Sequence, residues 1–255
     1  MAVVERERRG RVEVLRLNRP EARNAINDEV SHAMEAALDD LEPDRDVAAV
    51  VITGTGPVFC AGADLKMVAA GRGAEIVTER GGFAGLVTRE FPKPLIAAVQ
   101  GTAVAGGFEI TLACDVVVAA DTAVFGLAEA KRGLLASAGG LIRLPKRVPR
   151  AIALEIAMTG EPITVARAFE LGLVNRVVPA DEVLDTAVAL GEQIAANSPL
   201  AVRAARELVR AAHDLSEADG WKLTSRLAGE VGRHPDAIEG ATAFAEKRPP
   251  NWTSY

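Results

Sequence analysis

The chain has 255 residues, of which 49% are hydrophobic and 25% are charged, proportions typical of a globular protein with a full apolar core. Its formal net charge is -6 at pH 7, whereas proteins that bind nucleic acid or anionic membranes need clustered Lys and Arg to neutralise phosphate. The charge therefore argues against both of these partners and favours a small-molecule ligand.

The first predicted elements are a strand and a helix near the amino terminus. Apolar side chains recur through residues 12–17, and the turn sequence NRP behind them indicates where the strand ends. Asn27 suits the N-cap of a following helix, because its side chain can accept a hydrogen bond from the first turn. The apolar positions of this helix fall on one face: Val30, Ala33, Met34, Ala37, Leu38 and Leu41.

Three short apolar runs further along the chain indicate buried strands. They lie at residues 47–54, 95–101 and 115–121, and an apolar helix is predicted between the last two. Continuous apolar sequence is typical of strands that are covered on both faces. Strands that alternate with helices predict an α/β fold around a parallel sheet.

Beyond about Pro145 the chain becomes mostly helical. No Ser- or Pro-rich linker separates this part from the rest, and VNRVVP at 174–179 is its one predicted strand. The predicted helical segments are residues 148–160, 164–173, 182–197, 200–213 and a last stretch from Pro235. We therefore expect a helical layer in the C-terminal third.

The sequence gives no indication of a disulfide framework, a metal centre or a membrane segment. The chain has two cysteines, Cys60 and Cys114, which are too few and too far apart in the sequence for a disulfide framework or a zinc site. Its three histidines also lack the spacing of metal ligands: His32, His213 and His234. The charged start, MAVVERERRGRVEV, lacks an apolar signal core, and no later uncharged run reaches about 18 apolar residues. We expect a cytoplasmic protein.

Three local segments have the composition of a ligand site. The first, PVFCAGADLK at 57–66, is a loop of small residues that leaves a strand and enters a helix near Asp64. Backbone N–H groups at the start of a helix have no partner within the helix and can donate to a ligand bound there. The alternative is a tight turn for which Gly62 supplies the geometry.

The second segment, AGGFE, places Glu109 just after two glycines in an otherwise apolar stretch. Gly106 and Gly107 would let a ligand come close to the backbone. Burial of an unpaired carboxylate is costly or forces it to bind a proton, so Glu109 needs a partner or a use. The dipole at the start of a helix is a sufficient structural reason, since it favours the charge by a few tenths to about 1 kcal/mol.

The third segment, VFGLAEAKRGL at 124–134, contains a second acid, Glu129. This residue follows a predicted strand and precedes the cationic pair Lys131 and Arg132. A salt bridge to one of these cations is the structural alternative to a catalytic role.

Together the three segments resemble the crotonase, or enoyl-CoA hydratase/isomerase, superfamily. The resemblance includes KPLIAAVQG before AGGFE and Ala138-Gly139-Gly140 with Arg143-Leu144 after it, and it extends from LNRPEARNA at 17–25 to FAEKRPP at 244–250. It implies a crotonase-like α/β core of repeated ββα units in a superhelix over residues 1–197. It also implies a C-terminal helical region, residues 198–255, that serves trimerisation and completes the CoA site.

The resemblance also implies roles for individual residues. The backbone N–H groups of Ala63 and Gly106 match the family's oxyanion hole, which binds the thioester oxygen and stabilises an enolate. Glu109 matches the acid that activates the water attacking C3, and Glu129 matches the acid that exchanges the proton at C2. The substrate-binding positions that it implies are Arg23, Ala25, Ala61, Asp64, Leu65, Gly107, Phe244 and Lys247.

The presence of both acids favours a hydratase. Family members that only shift a double bond typically keep the acid matching Glu129 and lose the one matching Glu109, so an isomerase is the alternative. The resemblance implies an acyl-CoA substrate, no metal and no cofactor other than the coenzyme A of the substrate itself. A non-catalytic or RNA-binding relative is a remote alternative, against which the net charge and the two acids argue.

A finer resemblance is to the branch that contains crotonobetainyl-CoA hydratases. It rests on GGFAGL at 81–86, EAK at 129–131 and DAIEG at 236–240. A quaternary ammonium substrate needs an aromatic or acidic cage, but aromatic residues make up only 4% of the chain. Phe83 and Glu79 are the nearest candidates, and this substrate is therefore kept as an alternative.

The sequence departs from the family pattern in two places near the expected acyl pocket. Ala105 replaces a frequent third glycine, and LLASAGG at 134–140 lacks a proline that is common there. Residues 66–91, which would read the acyl chain, have no pattern that predicts a conformation. We also expect a homotrimer or a dimer of trimers, in which Phe244 and Lys247 reach CoA that is bound mainly by a neighbouring subunit.

Overall fold

The computed structural model describes residues 2–253. Within them the strands are β1 (Val4–Arg9), β2 (Val12–Leu17), β3 (Ala49–Gly54), β4 (Val58–Cys60), β5 (Val77–Thr78), β6 (Gly82–Phe83), β7 (Leu95–Val99), β8 (Thr102–Val104), β9 (Val116–Ala120), β10 (Val124–Gly126), β11 (Ile163–Thr164) and β12 (Arg176–Val178). The α-helices are α1 (Asp28–Leu41), α2 (Leu65–Ala69), α3 (Gly106–Ala113), α4 (Gly140–Arg147), α5 (Arg150–Thr159), α6 (Val165–Glu170), α7 (Val183–Ala195), α8 (Pro199–Ala211), α9 (Glu217–Arg233) and α10 (Pro235–Glu246).

The larger sheet has the strand order β1-β2-β3-β7-β9-β12. β1 and β2 are antiparallel, and the other neighbouring strands are parallel. Every residue of β3 and β7 is buried, as their continuous apolar sequence predicts. The predictions of strands within 47–54, 95–101 and 115–121 are thus confirmed as β3, β7 and β9.

The smaller sheet has the strand order β11-β10-β8-β4. Its strands β4, β8 and β10 are parallel to one another. Their carboxyl ends therefore lie at one edge of the sheet, and the loops that leave them meet above that edge. This edge carries all three segments that the sequence marks as a ligand site.

The helix after Asn27 is confirmed as α1, and Asn27 caps it by accepting a hydrogen bond from the backbone N–H of Val30 at 3.0 Å. The C-terminal helices α5, α6, α7, α8 and α10 lie at the predicted segments. Helix α9 and strand β1 are elements that the sequence patterns did not predict. Within residues 2–253 no helix is both long and apolar enough to cross a membrane.

Candidate active site

The candidate oxyanion donors lie on two loops that touch each other. Gly62 adopts φ +94°, and its carbonyl accepts from the N–H of Ile26 while the N–H of Asp64 donates to the carbonyl of Ile26, both at 2.8 Å. The N–H of Ala63, between them, has no backbone acceptor among the described residues. Gly106 begins α3, so its N–H has no acceptor within the helix.

Close packing explains why glycines occupy the start of α3. A Cβ atom on Gly106 would lie 2.4 Å from the ring of Phe83, and 3.3 Å from the Cα of Gly62. A Cβ atom on Gly107 would lie 2.1 Å from the carbonyl oxygen of Cys60. The glycine pair therefore lets α3 approach β4 and the loop after it, which brings the Gly106 N–H beside the segment that holds Ala63.

Glu109 is buried in the first turn of α3, with 3% of its surface exposed. Its Oε1 accepts a hydrogen bond of 2.8 Å from the N–H of Gly140, at the start of α4. Burial raises the pKa of Glu109 to about 7, and the charge of Glu129 adds to this, while the Gly140 N–H and the charge of Arg143 oppose it. The carboxyl group is thus poised to hold or release a proton near neutral pH.

Glu129 begins a short 3₁₀ turn after β10 and is half-buried. Its Oε2 is buried and has no hydrogen-bond partner among the residues that the structure describes. Burial also raises the pKa of Glu129. The salt-bridge interpretation is wrong, because Lys131 donates instead to Glu161 at 2.6 Å, and Arg132 to a backbone carbonyl.

The two acids and the two donor residues line one cavity of about 640 Å³. It includes these residues predicted from the sequence: Arg23, Ala61, Ala63, Leu65, Gly106, Glu109 and Glu129. Its wall is completed mainly by apolar residues of segments 68–88 and 134–138: Val68, Gly73, Ile76, Val77, Gly82, Phe83, Val87, Thr88, Leu134, Leu135, Ser137 and Ala138.

Five predicted substrate-binding residues do not line this cavity. Asp64 caps α2 and pairs with Arg19 at 3.2 Å, and the carbonyl of Ala25 accepts from the same arginine. Gly107 packs against β4. Phe244 and Lys247, at the end of α10, are exposed, and their expected role in a neighbouring subunit's CoA site stays a prediction.

The sequence patterns gave no role to Gly140 and Arg143. Both belong to a stretch that carries the resemblance, Ala138-Gly139-Gly140 with Arg143-Leu144, but nothing local in the sequence connects them with Glu109, 31 residues earlier. Arg132 also lines the cavity. Residues 2–253 contain no group of three or more His, Cys, Asp or Glu side chains placed to hold a metal ion.

Comparisons with known proteins show what the whole chain is similar to. The family model described as Enoyl-CoA hydratase/isomerase matches residues 7–255. A carnitinyl-CoA dehydratase from Proteus mirabilis is 43% identical over 252 residues, which cover 96% of this chain and 95% of that protein. The enoyl-CoA hydratase EchA19 from Mycobacterium tuberculosis is 40% identical over 253 residues, 96% of this chain and 94% of that protein.

Solved structures show the same similarity in three dimensions. The crystal structure of an enoyl-CoA hydratase from Mycobacterium tuberculosis matches with a TM-score of 0.95 and 44% identity, covering 100% of both chains. A carnitinyl-CoA hydratase from Mycobacterium avium matches with a TM-score of 0.76 and 43% identity over 100% of both chains. The expected crotonase-like α/β fold is confirmed.

Proposed function

The chain belongs to the enoyl-CoA hydratase/isomerase family, and we propose that its cavity adds water reversibly to an apolar 2-enoyl-CoA thioester to give a 3-hydroxyacyl-CoA. One observation supports this most strongly. A buried carboxyl group, a second carboxyl group with an unpartnered oxygen and two loops that offer free N–H groups border the same cavity.

In the proposed mechanism, the N–H groups of Ala63 and Gly106 bind the thioester oxygen. Charge moves onto this oxygen as the enolate forms, and each fixed donor stabilises it by about 3 kcal/mol in a site that excludes water. Glu109 in its ionised form removes a proton from the water that attacks C3. Glu129 supplies the proton to C2, and the pair returns to its starting state by exchange with solvent.

The raised pKa values of both acids keep a proton available to the pair near neutral pH. The pKa of Glu109 is about 7, so the ionised base is well populated near neutral pH. Burial also raises the pKa of Glu129, and a charge on either acid makes ionisation of the other harder. One proton shared between the two acids gives the pair both a base and an acid.

The lining of the cavity favours an apolar acyl group over a quaternary ammonium group. Among the described residues that line it, Phe83 is the one aromatic side chain, and the two carboxylates are the proposed catalytic pair. Glu79, the other candidate for a cage, is exposed and lies outside the lining. Arg132 adds a positive charge to the wall, which opposes a cation.

Further parts of the proposal concern the setting of the reaction. We propose that it needs no metal and no redox cofactor, because two acids and two N–H donors complete the proton transfers and the charge stabilisation. The acyl-CoA substrate carries its own coenzyme A. The proposal also includes a cytoplasmic location and a homotrimer or dimer of trimers that binds neither nucleic acid nor membranes.

A panel of thioesters tests the proposed reaction. We expect crotonyl-CoA and longer apolar 2-enoyl-CoA thioesters to lose their enoyl absorbance and give 3-hydroxyacyl-CoA, with crotonobetainyl-CoA and 3-enoyl-CoA much poorer. Glu79→Gln is a matched control that should leave every rate unchanged. Crotonobetainyl-CoA as the best substrate would overturn the apolar assignment, and turnover of 3-enoyl-CoA alone would indicate an isomerase. Tight RNA binding in a gel shift, without turnover of any thioester, would support the non-catalytic alternative.

A further inference from the structure

Arg143 of α4 connects two walls of the cavity. Its Nη1 donates to the carbonyl oxygen of Ala138 at 3.3 Å, and its Nη2 donates to the carbonyl oxygen of Val87. Ala138 and Val87 both line the cavity, although they are more than 50 residues apart in the chain. One guanidinium group therefore fixes the distance between segment 66–91, which contains Val87, and the loop before α4.

The same loop holds Glu109. Gly139 has φ +100°, and a Cβ atom on it would lie 2.0 Å from Nη1 of Arg143. The next residue, Gly140, donates its N–H to Glu109, and a Cβ atom there would lie 3.0 Å from Oε1 of this carboxyl group. The turn 138–140 thus lies against the guanidinium group at Ala138 and Gly139 and holds the carboxyl group at Gly140, and the backbone of Ala138 also favours the carboxylate.

We propose that Arg143 is a positioning residue for Glu109: it holds the turn 138–140 so that the Gly140 N–H stays on the carboxyl group, and its positive charge favours the ionised form that acts as the base. The second half of this inference rests on the proposed function of Glu109.

The charged groups around the two residues support the proposal. Arg143 forms no ion pair with a carboxylate in the part of the chain that the structure describes, and Glu109 is the carboxyl group whose charge favours the protonated guanidinium group. Burial lowers the pKa of Arg143, as do Arg210 of α8 and Arg147 of α4, but a guanidinium group stays protonated in proteins.

Glu109 itself meets charges of both signs. The charge of Glu129, after β10, raises its pKa, and the charge of Arg143 lowers it. Arg23 and Arg132 line the same cavity, while the Cys60 thiol of β4, which packs against the start of α3, is buried and neutral because burial raises its pKa to about 12. Arg143 is the cation in contact with the loop that binds Glu109, so its removal should change the titration of that acid.

A direct titration tests the inference without any substrate. The carboxyl signals of ¹³C-glutamate-labelled protein are followed by NMR against pH, and Glu109→Gln identifies the signal of Glu109. In Arg143→Met the midpoint of Glu109 should move to higher pH, because a cation and a fixed N–H donor both favour the carboxylate. In Arg143→Lys the midpoint of Glu109 should stay closer to the parental value, because lysine keeps the positive charge. Lys146→Met, which removes a half-buried cation of α4 paired with Asp214, is the matched control and should leave the Glu109 midpoint in place.

Steady-state kinetics give the second measurement. Arg143→Met should lower kcat near pH 7 by about 10- to 100-fold with little change in KM, and part of this loss should disappear at higher pH. A Glu109 midpoint that stays in place in both Arg143 variants would overturn the inference, even if their melting temperatures fall, because that is the result of a purely structural role. If Arg143→Met does not fold, Arg143→Gln, which also removes the charge, takes its place: a parental Glu109 midpoint and a parental kcat in Arg143→Gln would also overturn the inference. Absence of turnover by the parent protein would contradict the proposed function but leave the titration result standing.

Discussion

Glu109 and Glu129 border the same cavity but have different surroundings. Glu109 accepts the N–H of Gly140, whereas Oε2 of Glu129 is buried without a partner among residues 2–253. A buried carboxyl oxygen that lacks a donor is costly unless a proton or a substrate group satisfies it. The structure thus keeps one acid fixed in place and leaves the other open to the cavity.

The first prediction follows from these two roles. Glu109→Gln and Glu129→Gln should each lower kcat by about 10²-fold or more with little change in KM, because each removes a proton transfer and not a ground-state contact. The double variant should lose less than the product of the two single losses, since the acids work as a pair. Steady-state kinetics with the best 2-enoyl-CoA check this, and a single variant that keeps its full kcat would contradict the assignment.

The pH dependence of stability gives a second prediction about Glu109. Its pKa is about 7 in the folded protein and 4.5 ordinarily, so the unfolded chain releases the proton first as pH rises. The folded state binds more protons between these values, and the free energy of unfolding therefore falls across this window and stays lower above it, by about 3 kcal/mol in total.

Glu109→Gln removes this titration. The free energy of unfolding of the variant minus that of the parent should rise by about 2 to 3 kcal/mol from a pH near 5 to a pH near 8. Urea unfolding at both pH values measures this difference. Comparing two pH values cancels the constant effect of the new amide group. The exposed Glu79→Gln is the control and should show no such gain, and an equal effect of Glu109→Gln at both pH values would show that the carboxyl group is not perturbed.

Ala105 stores backbone strain beside the glycine pair. It precedes α3 with φ 52° and ψ -130°, a conformation that favours glycine and costs other residues about 1 to 3 kcal/mol. Ala105→Gly should therefore raise the free energy of unfolding by about 1 kcal/mol after the flexibility of glycine is counted. Urea unfolding checks this, with Ala241→Gly in exposed helix α10 as a control that should lose about 1 kcal/mol. If Ala105→Gly and Ala241→Gly lowered the free energy of unfolding by the same amount, the result would argue against strain at Ala105.

At the scale of elements, the site depends on how closely α3 packs on β4. Gly107→Ala places a Cβ atom against the backbone of Cys60, at 2.1 Å from its carbonyl oxygen. Such overpacking should cost about 1 to 3 kcal/mol of stability. It should also lower kcat, because the shift moves the N–H of Gly106 away from that of Ala63.

A second helix glycine provides the control for this prediction. A Cβ atom on Gly220 in α9 would have no neighbouring atom within 4 Å, so Gly220→Ala should stabilise the protein by about 0.5 to 1 kcal/mol and leave kcat unchanged. Urea unfolding and steady-state kinetics of both variants give the comparison. A Gly107→Ala variant with parental kcat would separate the position of α3 from catalysis.

The sequence predicts those elements well in which almost every residue is buried. Almost every residue of β3, β7 and β9 is apolar, and the sequence predicts all three strands. It does not predict β1, because this edge strand reads VERERR. Two of its arginines, Arg6 and Arg8, pair with Glu13 of β2, at 3.0 Å and 2.6 Å. Helix α9 was missed for a related reason: Leu227 is its one buried residue, and it contains three glycines.

The candidate site divides in the same way. The loops with Ala63, Gly106, Glu109 and Glu129 could be predicted because they follow short parallel strands and carry a recognisable resemblance. The conformation of segment 66–91, which forms part of the cavity wall, could not be predicted. Its regular elements are a five-residue helix, a 3₁₀ turn and two-residue strands. Elements of this length have no periodicity, and their conformation depends on packing against distant parts of the chain.

At the scale of the whole molecule, the C-terminal helices leave large apolar side chains in water. The apolar side chains along one face of α8, such as Leu200 and Leu208, are half-buried within the single chain. The strongly exposed apolar residues lie elsewhere on α8 to α10: Val209, Trp221, Ile238 and Phe244. Burial of such surface contributes about 25 cal/mol per Å², which supports the proposed trimer.

The last prediction joins this surface to the substrate. Lys247 ends α10 in a left-handed conformation with an exposed side chain, three residues after Phe244, whose surface is 87% exposed. If a neighbouring subunit's CoA lies there, Lys247→Gln should raise KM for acyl-CoA and leave kcat nearly unchanged, since contacts far from the reacting carbons bind substrate and transition state alike. Lys222→Gln on α9 is the control and should leave KM in place. Sedimentation should show a trimer or hexamer, and a fully active monomer, or a Lys247→Gln enzyme with parental KM, would contradict the shared site.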